Sequence, residues 1–311
     1  MTGTDRPGAA TVHDPAVRWP VLRLRREAKV LDLLAGVADG GRFEASGVLA
    51  LGGWFWVIFD NVPHVARIDP ALIRGDSRAA LIRQPGGAVG YEDIAHDRDD
   101  GRFFLLVEAV RHGSGSWLAQ VRECDRDLRP LVTRWLDFPL DRPNKGLEGL
   151  SCVRRDGRTH LLGLCEGNRC RGGEDGRRPG GGRVHVFVEG SGRWEREHTI
   201  RLPESLRFTD YSSISVAGDR VAVVSQESSG LWVGRFAPSS WDLVDEGTTY
   251  SFPRDRQGRT LYGTVEGVSW LAGDEVVVVS DRAKPTQPSR FRAKDESVHV
   301  FALPAPHTAG W

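Results

Sequence analysis

The stretches "NKGLEGLS" (144–151) and "TVEGVSWL" (264–271) share one unusual feature, since each places a glutamate at the start of an apolar strand. In both copies the glutamate, Glu148 or Glu266, is followed by a glycine and an aliphatic residue. Burying an unpaired carboxylate costs several kcal/mol. The recurrence therefore indicates a repeat in which these acids share one environment.

The chain is predicted to be all-β. Short apolar runs such as "WFWVIF", "RFFLLV" and "EVVVVS" dominate from residue 43 onward and are bounded by Gly, Asp or Pro. Such runs, rich in Val, Phe and Trp, are typical of strands. Only 27–37, "EAKVLDLLAGV", could read as a longer helix, and its apolar residues could equally form an outer strand.

Five copies of one pattern follow one another along the chain. Each copy starts with Glu or Ser, then a small or acidic residue, then an aliphatic one, and the starting residues are Ser46, Glu92, Glu148, Ser212 and Glu266. A polar turn and a second strand follow, and the second strand is predicted to end at Asp60, Glu108, Glu166, Gln226 or Asp281. The intervals suit four-stranded blades, so the sequence predicts a five-bladed β-propeller. A six-bladed ring is the alternative, although the Gly/Arg-rich loop 167–183 accounts for the longest interval.

The fifth unit supplies three obvious strands, and "WPVLRLRREAKVLDLL" precedes the first unit without a blade of its own. We expect this N-terminal segment to add the outermost strand of the last blade, which closes the ring and removes an exposed edge. The predicted organisation is a flexible segment 1–18, one propeller domain 19–304 and a tail 305–311.

The first strand of every propeller blade lines the central channel, so the five starting residues are predicted to converge on one axis. Three carboxylates around an axis repel one another unless a cation lies between them. Hard oxygen ligands in a loose cage suit Ca²⁺ better than Zn²⁺. An axial Ca²⁺ held by Ser46, Glu92, Glu148, Ser212 and Glu266 is therefore predicted. The alternative is a polar channel filled with water.

The acids that end the second strands should surround one end of the channel, and the loops beyond them are rich in positive charge. We predict ligand-binding roles for Asp60, Asn61, Glu108, Gln226, Lys145 and Arg290. Guanidinium groups around a divalent cation are typical of sites for phosphorylated or carboxylated ligands. The predicted partner is therefore an anionic small molecule or a protein.

The motifs "GLEGLS…LLGLCEGNR", "TVEGVSWL…VVVVSDR" and "WVIFDNVPHVARID" resemble the phytase-like esterase family and related bacterial calcium-binding propellers. They are also similar to five-bladed calcium-dependent apyrases. The resemblance runs from about residue 44 to 303. It implies that Glu148, Glu166, Glu266 and Asp281 are metal or active-site residues. Ser46 and Ser212 stand where many such channels carry acids.

Two functions follow from these residues. A binding module would hold an anionic ligand, with Ca²⁺ stabilising the ring. A metal-dependent hydrolase of phosphate or carboxylate esters is the alternative: Glu166 or Asp281 would orient water, and Arg169 or Arg282 would neutralise developing charge. No nucleophile elbow, P-loop or zinc-protease motif is present in the sequence.

The composition argues against nucleic-acid and membrane partners. Lys plus Arg and Asp plus Glu both number 42 in the 311 residues, so the formal charge is zero. The first 18 residues lack the apolar run of a secretory signal, so we expect a cytoplasmic protein with reduced cysteines. The cysteine spacing matches no zinc pattern and indicates small buried side chains. A Cys165–Cys170 link is the alternative in an oxidising environment. The oligomeric state cannot be predicted.

Overall fold

The computed structural model describes residues 19–36, 41–86, 90–113, 115–140, 142 and 146–304. The predicted segments 1–18 and 305–311, and the candidate residue Lys145, lie outside these residues. The described chain is built almost wholly from antiparallel strands, and they form three four-stranded sheets and one eight-stranded sheet. Within the described residues no helix has the length and apolarity needed to span a bilayer.

The strands follow one another blade by blade. The chain begins with β1 (Arg23–Lys29) and the one-turn helix α1 (Val30–Leu33). The first blade contains β2 (Ala45–Leu51), β3 (Trp54–Phe59), β4 (His64–Ile68) and β5 (Ala80–Arg83). The second contains β6 (Tyr91–His96), β7 (Phe103–Arg111), β8 (Trp117–Cys124) and β9 (Pro130–Asp137).

The third blade contains β10 (Leu147–Arg155), β11 (Arg158–Cys165), β12 (Arg183–Glu189) and β13 (Arg193–Arg201). Between β11 and β12 lie a 3₁₀ turn (Asn168–Cys170) and the short helix α2 (Gly173–Gly176). The fourth contains β14 (Ser213–Ala217), β15 (Arg220–Ser225), β16 (Gly230–Arg235) and β17 (Thr248–Ser251). The fifth contains β18 (Val265–Trp270), β19 (Glu275–Ser280) and β20 (Ser297–Ala302), with a 3₁₀ turn (Ser289–Ala293) before β20.

The predicted β-propeller is the observed architecture. The inner strands touch in a closed cycle, β2 to β6 to β10 to β14 to β18 and back to β2. The insertion 167–183 contains a 3₁₀ turn and the short helix α2 before β12 begins at Arg183. The second and third units form the eight-stranded sheet, because their outermost strands β9 and β13 pair in parallel, with Trp194 opposite Leu136. The sequence pattern did not indicate this outer contact.

Each hydrophobic core lies between two neighbouring blades. Val57 and Phe59 of the first blade pack in one cluster with Val277 and Val298 of the last. Four further clusters repeat this arrangement around the ring. The alternation of strand side chains explains this, since one face of each sheet meets the blade before it and the other face meets the blade after it. Burial of apolar area between blades therefore holds the ring together.

The N-terminal segment closes the ring as expected, because β1 pairs antiparallel with β20. Within the segment 27–37, residues 27–29 belong to this strand, and Val30, Leu31 and Leu33 belong to α1. The Glu27 carboxylate accepts from Nδ1 of His299 at 2.9 Å and from Lys294 Nζ. Nε2 of His299 lies 3.1 Å from Oγ of Ser280. Glu27, His299 and Ser280 therefore contact one another in the order of a catalytic triad. Ser280 and His299 are both fully buried, so these contacts stabilise the pairing of β1 with the fifth blade.

Two predicted strand boundaries are wrong. Glu108 lies inside β7 instead of at its end, because the register with β8 shifts between Val107 and Val110 and lets the strand continue to Arg111. Ser212 lies just before β14, although its amide still donates to the carbonyl of Val224 on β15. Both residues keep their positions in the repeat despite these shifts.

Candidate functional site

The five predicted axial residues lie around one small cavity at the axis. The cavity has a volume of about 50 Å³. Its lining residues are Ser46, Glu92, Glu148, Glu166, Asp210, Tyr211, Ser212, Gln226 and Glu266. We call it the acidic cavity. It forms because the starting residues of the five inner strands point to the same axis and carry three glutamates.

Burial and mutual repulsion dominate the electrostatics of the acidic cavity. Burial, followed by the charges of Glu148, Glu108 and Glu266, raises the pKa of Glu92 well above its usual range. Burial, followed by the charges of Asp281, Glu148 and Asp60, raises the pKa of Glu266 in the same way. The cluster therefore resists ionisation unless a cation neutralises it.

The second predicted set of acids lies against the first. Nε2 of Gln226 donates to Oε1 of Glu266 at 2.6 Å, and Glu166 lines the acidic cavity. Burial raises the pKa of Asp281 to about 7, and the charges of Asp60 and Glu44 add to this, against the amide of Arg282. Burial, with the charge of Glu44, raises the pKa of Asp60 to about 6. One buried carboxylate oxygen of Asp60, Oδ1, has no hydrogen-bond partner among the described residues.

Three predicted site residues have structural contacts of their own. Ser46 Oγ donates to the Tyr91 carbonyl at 2.5 Å, and Ser212 Oγ accepts from the Gln226 amide at 3.2 Å. Asn61 bridges two backbone segments: its Oδ1 accepts from the Glu44 amide and its Nδ2 donates to the Arg42 carbonyl. The two serine hydroxyls and the Asn61 side chain therefore form hydrogen bonds to backbone groups in the wall of the site.

Sequence reasoning missed two acids at the axis. Asp210 lines the acidic cavity and accepts from the Ser225 hydroxyl and the Glu227 amide, and burial raises its pKa to about 6. It lies two residues before Ser212, outside the aligned pattern. The second missed acid is Asp93, which follows Glu92 and occupies the small or acidic position in the second copy of the pattern. The "ED" doublet of "YEDI" was its visible signal.

The residues that follow the starting residues form a layer across the axis. They are Gly47, Asp93, Gly149, Ser213 and Gly267, and we call them the axial layer. A Cβ on Gly47 would lie 2.8 Å from Cα of Asp93, and one on Gly267 would lie 2.8 Å from Cα of Gly47. The glycines therefore allow the strands to approach closely enough for the single carboxylate of Asp93 to fill the axis.

Asp93 joins three blades through its buried carboxylate. Oδ2 accepts from the Leu150 amide at 2.9 Å and from Ser213 Oγ at 2.8 Å, while Oδ1 accepts from the Ile94 amide at 2.8 Å. These donors favour the ionised form, but burial outweighs them and raises the pKa of Asp93 to about 8. Asp93 is therefore a structural acid of the channel.

A wider cavity of about 350 Å³ lies beyond the axial layer, at the opposite end of the inner strands. Ser151, Ser215 and Ser269 line it, and each hydroxyl accepts from a backbone amide of the next inner strand. Its larger size does not make it the better candidate site. Its inward serine oxygens already connect neighbouring blades, and it lacks the concentration of acids found at the other end.

The predicted arginines lie outside the acidic cavity, and two of them hydrogen-bond to loop backbone. Arg169 Nη1 reaches the Arg178 carbonyl at 3.5 Å, and Arg290 Nε donates to the Thr260 carbonyl at 2.8 Å. The amide of Arg282 donates to Asp281, but no contact of the Arg282 guanidinium is seen within the described part of the chain. These positions place the arginines around the site and not inside the acidic cavity.

A third cavity, of about 290 Å³, adjoins the acidic cavity and shares Glu166 and Asp210 with it. We call it the loop cavity, because the insertion after β11 supplies most of its wall. Arg171 and Arg177 line it, and they pair with Asp175 at 3.8 Å and Glu227 at 2.7 Å respectively. A small molecule bound here would contact both the acids and these guanidinium groups.

No protein-family model and no curated protein matches the sequence. The fold is similar to that of glutaminyl cyclase from Myxococcus xanthus, with a TM-score of 0.50, 11% identity and coverage of 91% of this chain and 97% of that chain. A GH43_1 enzyme from Xanthomonas citri complexed with xylotriose matches with a TM-score of 0.48, 13% identity and coverage of 87% and 92%. The PQQ-bound aldose sugar dehydrogenase from Streptomyces coelicolor matches with a TM-score of 0.44, 12% identity and coverage of 89% and 98%. At these identities the likeness concerns the fold.

Proposed function

We propose that the protein is a calcium-binding β-propeller that binds an anionic small ligand at the acidic end of its channel. The observation that carries the proposal is the group of half-buried carboxyls around a cavity of about 50 Å³. Burial and mutual repulsion raise the pKa of Glu92 and Glu266 in that group. A bound divalent cation would reverse this repulsion and allow the acids to ionise.

The donor set suits a hard cation. Glu92, Glu148 and Glu266 offer carboxylate oxygens, and Asp281 and Asp60 lie close enough to Glu266 to influence its ionisation. Among the described residues, no three acids bring one carboxylate oxygen each within 4.8 Å of one another. A Ca²⁺ ion takes 6–8 oxygen ligands and tolerates irregular geometry, so water would complete its shell here. The small volume also favours an ion with its waters over an organic molecule.

The loop cavity supports the ligand part of the proposal. Its volume of about 290 Å³ is close to the lower bound for small-molecule sites. Arg171 and Arg177 supply positive charge on one side, and Glu166 and Asp210 connect it to the acidic cavity. An anionic group could therefore contact the guanidinium groups and complete the coordination of the cation at the same time.

A metal-dependent hydrolase of phosphate or carboxylate esters is the second candidate, in the manner of the phytase-like and apyrase-like resemblance. The observation that favours it is the Asp281–Asp60 pair, with pKa values raised to about 7 and about 6. General acids and bases act best when their pKa lies near the working pH. The bound cation would supply polarisation of the ester oxygen. Glu166 or Asp281 would orient water, and Arg169 or Arg282 would balance the developing charge.

Calorimetric titration of the full chain with Ca²⁺ tests the binding proposal. We expect one saturable site in the wild type and a loss of affinity of at least about tenfold in Glu92→Gln and Glu266→Gln. Asp99→Asn is the control, because Asp99 lies at the wider cavity beyond the axial layer. Absence of saturable binding, or equal binding in all four proteins, would refute the calcium site and favour protonated acids with trapped water.

Turnover of a generic phosphoester and a generic carboxylate ester then separates the two functions. Turnover that requires Ca²⁺, stops with chelator and is lost in Glu166→Gln would establish the hydrolase. Calcium binding without turnover of either ester would support the binding module.

A further inference from the structure

Two cysteines and a histidine meet beside the acidic end of the channel. Cys165 ends β11, Cys170 lies in the 3₁₀ turn after it, and His185 lies on β12. Cys165 and Cys170 form a disulfide, so the alternative left open by the sequence is the observed one. Sulfur and nitrogen atoms of all three residues lie within 4.8 Å of one another.

We propose that Cys165, Cys170 and His185 form a zinc-binding site when the disulfide is reduced. Thiolate and imidazole are the ligands that Zn²⁺ prefers, and three protein ligands with one open position form a common zinc arrangement. The cysteine spacing alone did not indicate this site, because the third ligand comes from the neighbouring strand.

The spacing of the ligand atoms agrees with zinc coordination. Nε2 of His185 lies 3.2 Å from Sγ of Cys170. Zinc–sulfur bonds of about 2.3 Å and zinc–nitrogen bonds of about 2.0 Å at a tetrahedral angle separate two such ligands by roughly 3.6 Å. For this pair a shift of a few tenths of an ångström suffices. The two sulfurs, which are bonded to each other in the disulfide, must separate to roughly 3.8 Å, about the distance of two unbonded sulfur atoms in contact, and reduction allows this.

The imidazole of His185 is oriented for this role. Its Nδ1 lies 2.9 Å from Oγ1 of Thr199, and this contact holds Nε2 towards the sulfur. Such an outer hydrogen bond fixes the ring of many metal-binding histidines. The ring of Phe138 covers the imidazole, with centroids 3.9 Å apart.

The chemistry balances with a dithiol reductant. Thiolate attack on the disulfide transfers two electrons to the cystine, which gives two cysteine thiols and oxidises the reductant to its own disulfide. Zn²⁺ then displaces one proton from each thiol and accepts the lone pair of neutral His185, so that two protons are released per ion bound. Cys165 and His185 are buried, and the partly exposed Cys170 gives the reductant access.

Zinc titration of the reduced and oxidised full chain, with Ca²⁺ in excess to compete for the acidic cavity, tests the proposal. We expect one equivalent of bound Zn²⁺ after reduction with dithiothreitol and none at this cluster after reoxidation. Cys170→Ser should lose that equivalent. Thr199→Val should weaken zinc binding about 10- to 100-fold while leaving all three ligands in place. Cys152→Ser is the matched control, since Cys152 is outside the disulfide and outside the cluster.

The inference is overturned if the reduced wild type binds no Zn²⁺, or if its zinc binding survives in Cys170→Ser. Far-ultraviolet circular dichroism of each variant shows whether the propeller is folded, and Thr199→Val keeps the test decisive if Cys170→Ser does not fold. Loss of Ca²⁺ binding in Glu92→Gln with zinc binding unchanged would separate this site from the proposed calcium site.

Discussion

Asp93 offers the sharpest test of the electrostatics, because two opposing effects act on its carboxyl group. Hydrogen bonds from the Leu150 amide, the Ser213 hydroxyl and the Ile94 amide favour the ionised form. Burial favours the neutral form, since only 1% of the residue is exposed. The balance raises the pKa of Asp93 from 3.8 to about 8. The folded protein should therefore hold a proton that the unfolded chain has released.

The sign and size of the effect on stability follow from proton linkage. Between the unfolded pKa of 3.8 and the folded pKa of about 8, folding takes up a proton at Asp93, so the stability from this group is greatest at low pH and is lost as the pH rises. The slope is about 1.4 kcal/mol per pH unit. Asn cannot ionise, so the unfolding free energy of wild type minus that of Asp93→Asn should fall by about 4 kcal/mol between pH 4.5 and 7.5.

Urea unfolding of both proteins in chelator at several pH values measures this difference. The comparison cancels the buried histidines, which titrate in the same range in both proteins. Asn also changes the hydrogen bonds of the axial layer, but that cost is constant with pH. It changes the size of the difference in unfolding free energy and leaves its pH dependence unchanged. A difference that stays level would show that the hydrogen bonds offset burial, and one that rises with pH would show that they outweigh it. Either result would contradict the raised pKa of Asp93.

Three further predictions concern the proposed ion and the ring. Glu148→Gln should lower the Tm in calcium by about 3 °C or more, because it removes a ligand of the proposed ion. In chelator it should raise the Tm, because it removes a repelling charge. Equal shifts in both conditions, measured by calorimetry, would show that Glu148 does not bind the ion. Glu27→Gln should lower the unfolding free energy by about 1–3 kcal/mol, since it removes the carboxylate that accepts from His299. It should also increase amide hydrogen exchange in β1. Unchanged exchange in β1 would contradict the role of Glu27 in closing the ring. Gly267→Ala should cost about 1–3 kcal/mol in urea unfolding, because its Cβ would lie 2.7 Å from Val279 Cγ2. Gly113→Ala, with no atom within 4 Å of the added Cβ, is the control, and equal costs for both would refute the close packing.

The repeat pattern made the ring predictable from the sequence. Every blade starts with the same short motif and must bury the same faces, so Glu92, Glu148 and Glu266 could be assigned to one axis without coordinates. The closure by β1 followed from the missing fourth strand of the last blade. Both conclusions depend on periodicity, which a single sequence displays directly.

Other parts of the site depend on contacts between blades that no local pattern records. Asp93 differs from the glycine at the same position in three other copies, and only the convergence of the inner strands shows why one carboxylate fits there. Arg177 is one of many loop arginines in the sequence, and its pairing with Glu227 appears only after folding. His185 alternates like any strand residue, yet the pairing of β11 with β12 brings it beside Cys170.

The axial layer also decides from which end a ligand can reach the acids. Asp93 and the glycines around it lie between the acidic cavity and the wider serine-lined cavity, and they pack so closely that a Cβ added to Gly47 or Gly267 would lie 2.8 Å from the neighbouring inner strand. A cation that binds Glu92 and Glu266 must therefore enter past the loops that follow the second strands. Those loops carry Arg171 and Arg177, and the Cys165–Cys170 disulfide lies at the same end, so an anionic ligand or a change of redox state there would act beside the route of the proposed ion. Within the described residues, the axial layer separates the larger cavity at the other end from these carboxylates.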